Sequence, residues 1–405
     1  MKTGIGTLTY CTNIHPGETW AEHFAALQEH IPAVRKQLGA DGSFGIGLRL
    51  SNKASLALDK AEQLSAFKDW LQENDAYVFT LNGFPYGSFH RTRVKDQVHA
   101  PDWTTNERLQ YTLRLFRILA ALLPEGMEGS LSTSPLSYRY WHPEEERRAL
   151  REKATWNMLQ VVEQLARVYR GSGILLHLDV EPEPDGLLDN GSEFIAWYLQ
   201  ELLPAGIPLL SDKLDITAAE AEQVIKTHLQ LCYDVCHFAV GYEDADEILR
   251  QLKIQGIRIG KIQLSAALKS ALPHGDAERE KTAVAFRRFN ESTYLHQVVA
   301  RCGNGRLIRY RDLPEALQEI RDTPAEEWRA HFHVPLFVSD FGLLQSTRNE
   351  VAEMLRRAQQ DTLTRHFEVE TYTWEVLPSD LQLPLPASIA RELQWVLDTL
   401  NNTTG

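Results

Sequence analysis

The chain has 405 residues, of which 43% are hydrophobic and 24% charged, as expected of a globular protein with a large core. Its 42 basic and 55 acidic residues give a net charge of −13, which disfavours a nucleic-acid partner. Apolar runs stay short of the roughly 18 residues of a transmembrane helix, and the N-terminus lacks a secretory apolar stretch. Because the four cysteines are irregularly spaced, we expect no disulfide framework and a reduced, cytoplasmic protein without membrane insertion.

Strand-like and helix-like segments alternate over the first two thirds of the chain. Short apolar runs typical of buried strands are Gly4–Ile14, Phe44–Leu50, Ala76–Asn82, Gly129–Ser134, Ile174–Glu181, Leu229–Asp234 and Ile257–Leu264. The first six strands are each followed by a predicted helix: Thr19–Leu38, Ala57–Gln72, Asn106–Leu122, Pro143–Tyr169, Ser192–Leu203 and Asp244–Lys253.

The stretch 265–341 is the least regular part of the sequence. It combines a charged helix, Asp276–Phe289, with a Gly-Asn-Gly turn and short apolar runs. An eighth strand, His366–Tyr372, and a closing helix, Pro386–Leu400, are predicted beyond it, and the tail Asn401–Gly405 is expected to fray.

This order of elements predicts a (β/α)8 TIM barrel that forms a single domain over residues 1–405, with 265–341 as an irregular insertion between strands seven and eight. A doubly wound open sheet is the alternative, because the strand count can slip by one or two. No Gly-rich phosphate fingerprint follows the first strand, which weakens a dinucleotide-binding interpretation.

The clearest functional signal is the segment Gly173–Asp185, GILLHLDVEPEPD. Its apolar run stops at Glu181-Pro182, because proline cannot donate to a sheet ladder. A carboxylate therefore stands where a buried strand emerges, the end at which parallel α/β folds collect their chemistry. Other strand ends carry polar residues too, and the insertion adds two histidines: His15, Asp234, His237, Gln263, Glu370, His331 and His333. We expect His15, Glu181, Asp234 and Glu370 to open onto one mouth.

Two histidine-containing pairs have the chemistry of metal ligands. Asp234 and His237 lie three residues apart where a strand turns into the next helix, and carboxylate with imidazole suits Mn²⁺, Fe²⁺, Co²⁺ or Zn²⁺. His331 and His333 lie two apart, so in an extended segment both point the same way. The alternatives are a helix-capping aspartate with a surface histidine, and two half-buried histidines on an edge strand.

Carboxylates on core-like strand ends support the same interpretation. Glu181 and Glu370 each follow an apolar strand, where desolvation is unfavourable unless the group is paired or ligating. Cys232 and Cys236 have the wrong spacing for a zinc knuckle and are expected to pack in the core. The aromatic loop Gly83–Trp103 either lines a pocket or forms a surface loop.

With these residues placed, the chain resembles the xylose isomerase-like TIM-barrel superfamily, which includes sugar isomerases, epimerases and apurinic-site endonucleases. Glu181-Pro-Glu-Pro184 is similar to the E-P-x-P that ends strand five of xylose isomerases, which implies that Glu181 binds metal. The lysine that those enzymes carry two residues later is Glu183 here, which removes the ammonium group expected to assist a hydride shift.

The resemblance extends to later strands. Asp234-Val-Cys-His237 is similar to the superfamily's acid-x-x-His, His331-Phe-His333 to its late D-x-H pair, and Glu370 to its last carboxylate. Gln263 stands where a histidine or aspartate is often found. More narrowly, LTYCTNIHPGETW, DVCHFAVGYED, KIQLSAAL and HFHVPLF resemble the EboE family, called metabolite traffic protein.

These patterns predict a divalent metal, Zn²⁺ or Mn²⁺, held by residues among Glu181, Asp234, His237, His331, His333 and Glu370. Glu181 and Glu370 are the candidate catalytic residues of an isomerase or epimerase acting on a small hydroxylated or carbonyl metabolite. The alternatives are a non-catalytic metabolite-binding traffic protein, with pathway proteins as possible partners, and a nuclease. The net charge of −13 argues against the nuclease.

Overall fold

The computed structural model describes residues 1–402 of the protein. Within them the chain forms short strands: β1 Thr7–Tyr10, β2 Phe44–Arg49, β3 Ala76–Asn82, β4 Gly129–Thr133, β5 Leu176–Val180, β6 Leu229–Asp234, β7 Ile259–Leu264, β8 Leu268–Ala271, β9 Val298–Cys302, β10 Leu307–Tyr310, β11 Ala325–Ala330, β12 Asp340–Phe341, β13 Leu344–Ser346 and β14 His366–Val369.

Helices fill most of the intervals between these strands. They are α1 Trp20–Leu38, α2 Asn52–Leu58, α3 Ala61–Glu73, α4 Asn106–Leu122, α5 Arg147–Ser172, α6 Gly191–Trp197, α7 Leu203–Leu214, α8 Ala218–His228, α9 Val235–Val240, α10 Ala245–Gln255, α11 Asp276–Arg287, α12 Leu313–Glu319, α13 Arg348–Gln360 and α14 Leu385–Asn402.

Eight parallel strands form a nearly closed ring. The hydrogen-bonded order is β1-β14-β7-β6-β5-β4-β3-β2. Between β1 and β2, the ring is completed by a parallel bridge from Cys11 to Gly47 and by Thr9, whose hydroxyl donates to Gly45 O at 2.7 Å. The predicted (β/α)8 barrel is therefore confirmed, and the doubly wound open sheet is wrong.

Helix starts follow local capping chemistry. Thr19 and Glu22 form a capping box at the start of α1, and Gly39 ends that helix in the left-handed conformation at φ +60°. The predicted helix over 57–72 is instead two helices, because the Ser51 side chain caps α2 and the chain restarts at α3. The predicted helix over 192–203 continues through a π-helical turn, Tyr198–Leu202, into α7.

A second sheet separates β7 from the last barrel strand. Its six antiparallel strands run in the order β10-β9-β11-β8-β13-β12. This stretch is more regular than its sequence pattern indicates: in β11, Ala325, Trp328 and Ala330 are buried while Glu326 is exposed. Helix α13 then leads into β14, so the interrupted β/α unit is completed after the second sheet.

The second sheet packs on the carboxyl-terminal end of the barrel. The backbone N–H groups of Val334 and Thr347 donate to Ala266 O and Ala267 O just beyond β7. Buried side chains of the second sheet, Trp328 among them, belong to the same hydrophobic cluster as the barrel core. The sheet is thereby held over the mouth of the barrel rather than at its side.

Two sequence predictions concern membranes and the C-terminus. In the part of the chain that the structure describes, no helix is long and apolar enough to cross a membrane. Asn401 and Asn402, predicted to fray, belong to α14, and residues 403–405 of that prediction lie outside the described residues.

Candidate metal centre

Polar side chains from the ends of the parallel strands meet at the carboxyl-terminal mouth of the barrel. Asp234 is the last residue of β6, and the strand register places it opposite Gln263 of β7. Glu181 follows β5 and Glu370 follows β14. One oxygen from each of Glu181, Asp234 and Glu370 lies within 4.8 Å of the others, and all three residues are buried.

Asp234 serves as a helix cap and still has an oxygen available to a ligand. Its Oδ1 accepts from the backbone N–H of His237 at 3.0 Å, which starts α9, and from Ser265 Oγ at 2.7 Å. Its Oδ2 is buried and has no hydrogen-bond partner among residues 1–402. An unpartnered buried carboxylate oxygen is unfavourable, so this atom is suited to a cation.

Three imidazoles are oriented in the same way. His237 lies on α9, and His331 and His333 directly follow β11. In each ring Nδ1 bonds to an oxygen, which leaves Nε2 available to a ligand, and His237 Nδ1 also lies 3.6 Å from Glu181 Oε1. The acceptors, in the same order, are Pro182 O at 3.2 Å, the Gln297 side-chain oxygen at 2.9 Å and Glu370 O at 2.7 Å.

The free ring nitrogens crowd together. His237 Nε2 lies 3.1 Å from His331 Nε2, and with both protons on Nδ1 the two lone pairs point at each other. His333 Nε2 is buried and, within the described residues, has no hydrogen-bond partner. Ligand atoms of Asp234, His237 and His333 lie within 4.8 Å of one another. This is the neutral nitrogen-and-carboxylate donor set that Zn²⁺ and related ions bind.

The buried carboxylates at the mouth have too little positive charge near them to balance their negative charges. Burial, with the nearby Glu370 and Asp234 carboxylates, raises the pKa of Glu181 well above its usual value. Burial and Asp234 likewise raise the pKa of Glu370. The ammonium of Lys261, also buried, is paired with Glu368 at 2.8 Å. A divalent cation would supply the missing charge.

Burial shifts the pKa values of two of the histidines in the opposite direction, downward. Burial lowers the pKa of His237 well below its usual value, and the nearby His333 adds to this effect. Burial and the neighbouring His237 lower the pKa of His331. Both rings are therefore neutral at pH 7, which is the form that binds metals.

Glu370 is held in place by three amides. Asn13 Nδ2 and Asn82 Nδ2 donate to its Oε1 at 2.7 and 2.8 Å, and Gln263 Nε2 donates to its Oε2 at 2.8 Å. Gln263, which stands in a metal-ligand position of the resemblance, thus positions Glu370. Sequence reasoning missed Asn13 and Asn82, because an asparagine after a strand has no distinguishing pattern.

His15 differs from its predicted role, while Glu183 makes contacts for which no prediction was made. His15 does not join the other strand-end groups, so that prediction is wrong. Its Nε2 bonds to Tyr10 Oη at 2.9 Å and its ring stacks on His30 at 4.4 Å, while Asn13 reaches the mouth instead. Glu183 pairs with His99 at 2.8 Å and lies 4.0 Å from His237 Nε2.

Cys232 and Cys236 are free and buried, as expected of core residues. Cys232 Sγ donates to the Gln263 side-chain oxygen at 3.0 Å. Cys236 also lies near the imidazoles, since its Sγ groups with ring nitrogens of His331 and His333 within 4.8 Å. Burial and Asp234 raise the pKa of the Cys236 thiol, so it stays protonated and is a poor ligand in this state.

These groups face a small cavity of about 60 Å³, which has room for an ion and a few water molecules. Its far wall is apolar and aromatic, and consists of Phe84, Phe89, Val94, Tyr294 and Tyr372. The loop Gly83–Trp103 contributes to this wall, so it lines the pocket.

The fold and site define a TIM-barrel protein with a candidate metal centre at its mouth. Solved structures similar to the chain include xylose isomerase domain proteins. A structure of IolI protein with a binding zinc atom has 12% identity and a TM-score of 0.47, covering 98% of this chain and 99% of that one. A xylose isomerase domain-containing protein from Salmonella typhimurium has 12% identity and a TM-score of 0.45, covering 99% of each chain.

A third similar structure is a probable 3-DHS dehydratase, AsbF, from Bacillus anthracis. It has 11% identity and a TM-score of 0.40, covering 96% of this chain and 98% of that one. At such identities and TM-scores these likenesses say nothing about activity, and the barrel is established by the strand order described above. No protein-family profile matches the sequence, and no curated protein does either.

Proposed function

We propose that this protein is a divalent-metal-dependent enzyme that isomerises or epimerises a small hydroxylated or carbonyl metabolite. The observation that carries the proposal is the set of imidazoles whose Nδ1 atoms are all bonded to oxygens, beside the unpartnered Asp234 Oδ2. Nitrogen donors favour Zn²⁺ or Mn²⁺ over Mg²⁺, which prefers oxygen and retained water. His237, His331, His333, Asp234 and Glu181 would hold the ion, and Glu370 would complete or orient the set.

A bound ion of this kind polarises hydroxyl and carbonyl oxygens of a substrate. Glu181 is the residue suited to hold or accept a substrate proton as well as to bind the ion, because its buried carboxylate lies in the cavity lining beside Asp234 and Glu370. The amides of Asn13 and Asn82 face the cavity beside Glu370 and offer hydrogen bonds to hydroxyl groups. The aromatic wall limits how much water shares this space with a substrate.

A metabolite-binding traffic protein of the EboE kind is the second candidate. Both Glu370 oxygens already accept hydrogen bonds from amides, which fits a binding role as well as a catalytic one. Glu183 occupies the position of the lysine that the xylose isomerase resemblance leads one to expect. The cavity of about 60 Å³ admits a sugar-sized ligand only after a covering segment, such as the loop Gly83–Trp103, moves aside.

Metal loading tests the centre directly. Protein freed of metal by chelator dialysis is offered Zn²⁺ or Mn²⁺, and the bound metal is measured by elemental analysis. Asp234→Asn keeps the size of the side chain and the helix cap but removes the negative charge. The affinity of the protein for the metal should therefore fall at least about tenfold. Asp212→Asn, an exposed aspartate of α7, is the matched control. Equal loading of wild type and Asp234→Asn, at either metal, would contradict the proposed centre.

Turnover separates the two candidate functions. The metal-loaded protein is incubated with small polyols, ketoses and sugar phosphates, and solvent-proton exchange at carbon is followed by NMR in D₂O. An enzyme should exchange or convert at least one compound, and Glu181→Gln should abolish this exchange. Saturable binding of a metabolite with neither exchange nor conversion would support the traffic protein instead.

A further inference from the structure

The opposite end of the barrel carries a second group of metal-ligating side chains. Glu128 immediately precedes β4, His177 is the second residue of β5, and His366 is the first residue of β14. One ligand atom from each lies within 4.8 Å of the others. All three stand at the starts of parallel strands, so this group is separated from the mouth by the length of the barrel interior.

Each imidazole in this group has a nitrogen available. His177 Nδ1 bonds to Asp179 Oδ1 at 2.6 Å, which leaves its Nε2 free and fixes the plane of the ring. His366 is 2% exposed, and its Nδ1 has no hydrogen-bond partner anywhere in residues 1–402. A carboxylate behind a histidine, as Asp179 stands behind His177, is found around protein-bound zinc, and the bare nitrogen of His366 is open to a ligand.

Carboxylates stand close to the two imidazoles. Glu128 is one of the three grouped ligands, Asp179 pairs with His177 at 2.6 Å, and the ammonium of Lys261 is paired with Glu368, while Arg258 and Arg365 line the cleft outside. Glu128 and His177 also line a surface cleft of about 860 Å³, which gives an ion and its water molecules a route to the group. Ligand atoms around a tetrahedral Zn²⁺ ion lie about 3.4 Å apart, so side-chain rotations that move these atoms by about 1 Å would form the site.

We propose that Glu128, His177 and His366 form a second site for a divalent transition metal of the Zn²⁺ class, at the amino-terminal end of the barrel. Two nitrogens and one carboxylate match a three-ligand zinc site whose fourth position is filled by water from the cleft. His177 and His366 belong to strands separated in the sheet by β6 and β7. An ion here joins them across the barrel interior, so its effect is to stabilise the barrel.

The first test measures how many Zn²⁺ ions bind to proteins whose mouth residues are unchanged. Chelator-treated wild type, Glu128→Gln and the control Glu125→Gln are titrated with Zn²⁺ against a chromophoric chelator. Glu128 is only partly buried and Glu125 is exposed in the same turn, so both variants should fold. Glu128→Gln should bind one equivalent at least about tenfold more weakly than wild type, while Glu125→Gln should match wild type.

A second measurement separates this site from the mouth. In Asp234→Asn, where the mouth is weakened, Zn²⁺ should still raise the melting temperature, and adding Glu128→Gln should abolish that rise. Equal stoichiometry and affinity in wild type and Glu128→Gln would overturn the proposal. So would an Asp234→Asn protein whose melting temperature does not respond to Zn²⁺. If only the mouth site failed to bind metal, wild type would still bind a single equivalent of Zn²⁺, and Glu128→Gln would lose it.

Discussion

Replacing Lys261 by methionine should destabilise the barrel more than any surface charge change. Lys261 and Glu368 are both fully buried and 2.8 Å apart, and the ammonium also donates to Leu81 O at 3.1 Å and Ser132 Oγ at 3.2 Å. Without the ammonium, Glu368 is a buried charge with no counter-ion, and breaking such a pair costs about 3–5 kcal/mol. That is a large part of the about 5–15 kcal/mol that stabilises a typical domain.

The size of the pair interaction follows from a double-mutant cycle. Lys261→Met, Glu368→Gln and the double variant are compared with wild type by urea unfolding, followed by tryptophan fluorescence at pH 7. The double variant leaves no unpaired charge, so it should be more stable than Lys261→Met by about 2 kcal/mol or more. Lys253→Met, which removes the exposed Lys253–Asp361 pair, is the control and should change little. A loss below about 1 kcal/mol in Lys261→Met would refute the reasoning.

Three other substitutions give distinct outcomes. Burial raises the pKa of Glu392 to about 8, so between pH 5 and 8 the folded state keeps a proton that the unfolded state loses. The free energy of unfolding then falls with rising pH by up to about 1.4 kcal/mol per unit, and Glu392→Gln should remove this slope in urea titrations across that range. Gln263→Met removes the amide that positions Glu370, and should weaken Zn²⁺ binding about tenfold in a chelator competition. In Gly47→Ala the new Cβ would lie 2.0 Å from Glu368 Oε1 and 2.8 Å from Tyr10 O. This variant should lose about 1–3 kcal/mol in thermal unfolding.

The barrel could be predicted from the sequence because its strands are short, continuous apolar runs. The predicted boundaries are those observed for the strands Ala76–Asn82 and Leu229–Asp234 and for the helix Asn106–Leu122, and the other barrel strands differ from theirs by a few residues. The second sheet could not be predicted, because its pairing is non-local: Leu268 lies opposite Ala330 and Lys269 opposite Gln345. Strands of two to six residues with charged outer faces leave too little periodicity to recognise.

The candidate site was also predicted only in part from the sequence. Asp234 and His237 were found because their contact is local, and His331 and His333 because the pair is extended. The side chains that hold these residues in place could not be recognised from the sequence. Gln297 orients His331 across 34 residues, and Asn82 reaches Glu370 across 288. Amide side chains carry no periodic pattern and no charge, so only the folded chain shows which of them position the centre.

The closure of the barrel between its first and last strands has a consequence for synthesis of the protein. Strand β1 pairs in parallel with β14, and Asn13 bonds to Glu370 across 357 residues. While the chain is being made, β1 therefore lacks one of its neighbours until nearly the whole sequence has left the ribosome. The emerging sheet exposes open strand edges during that time, which makes it a natural substrate for chaperones. The proposed metal centre includes Glu370, so it can be completed only at this late stage.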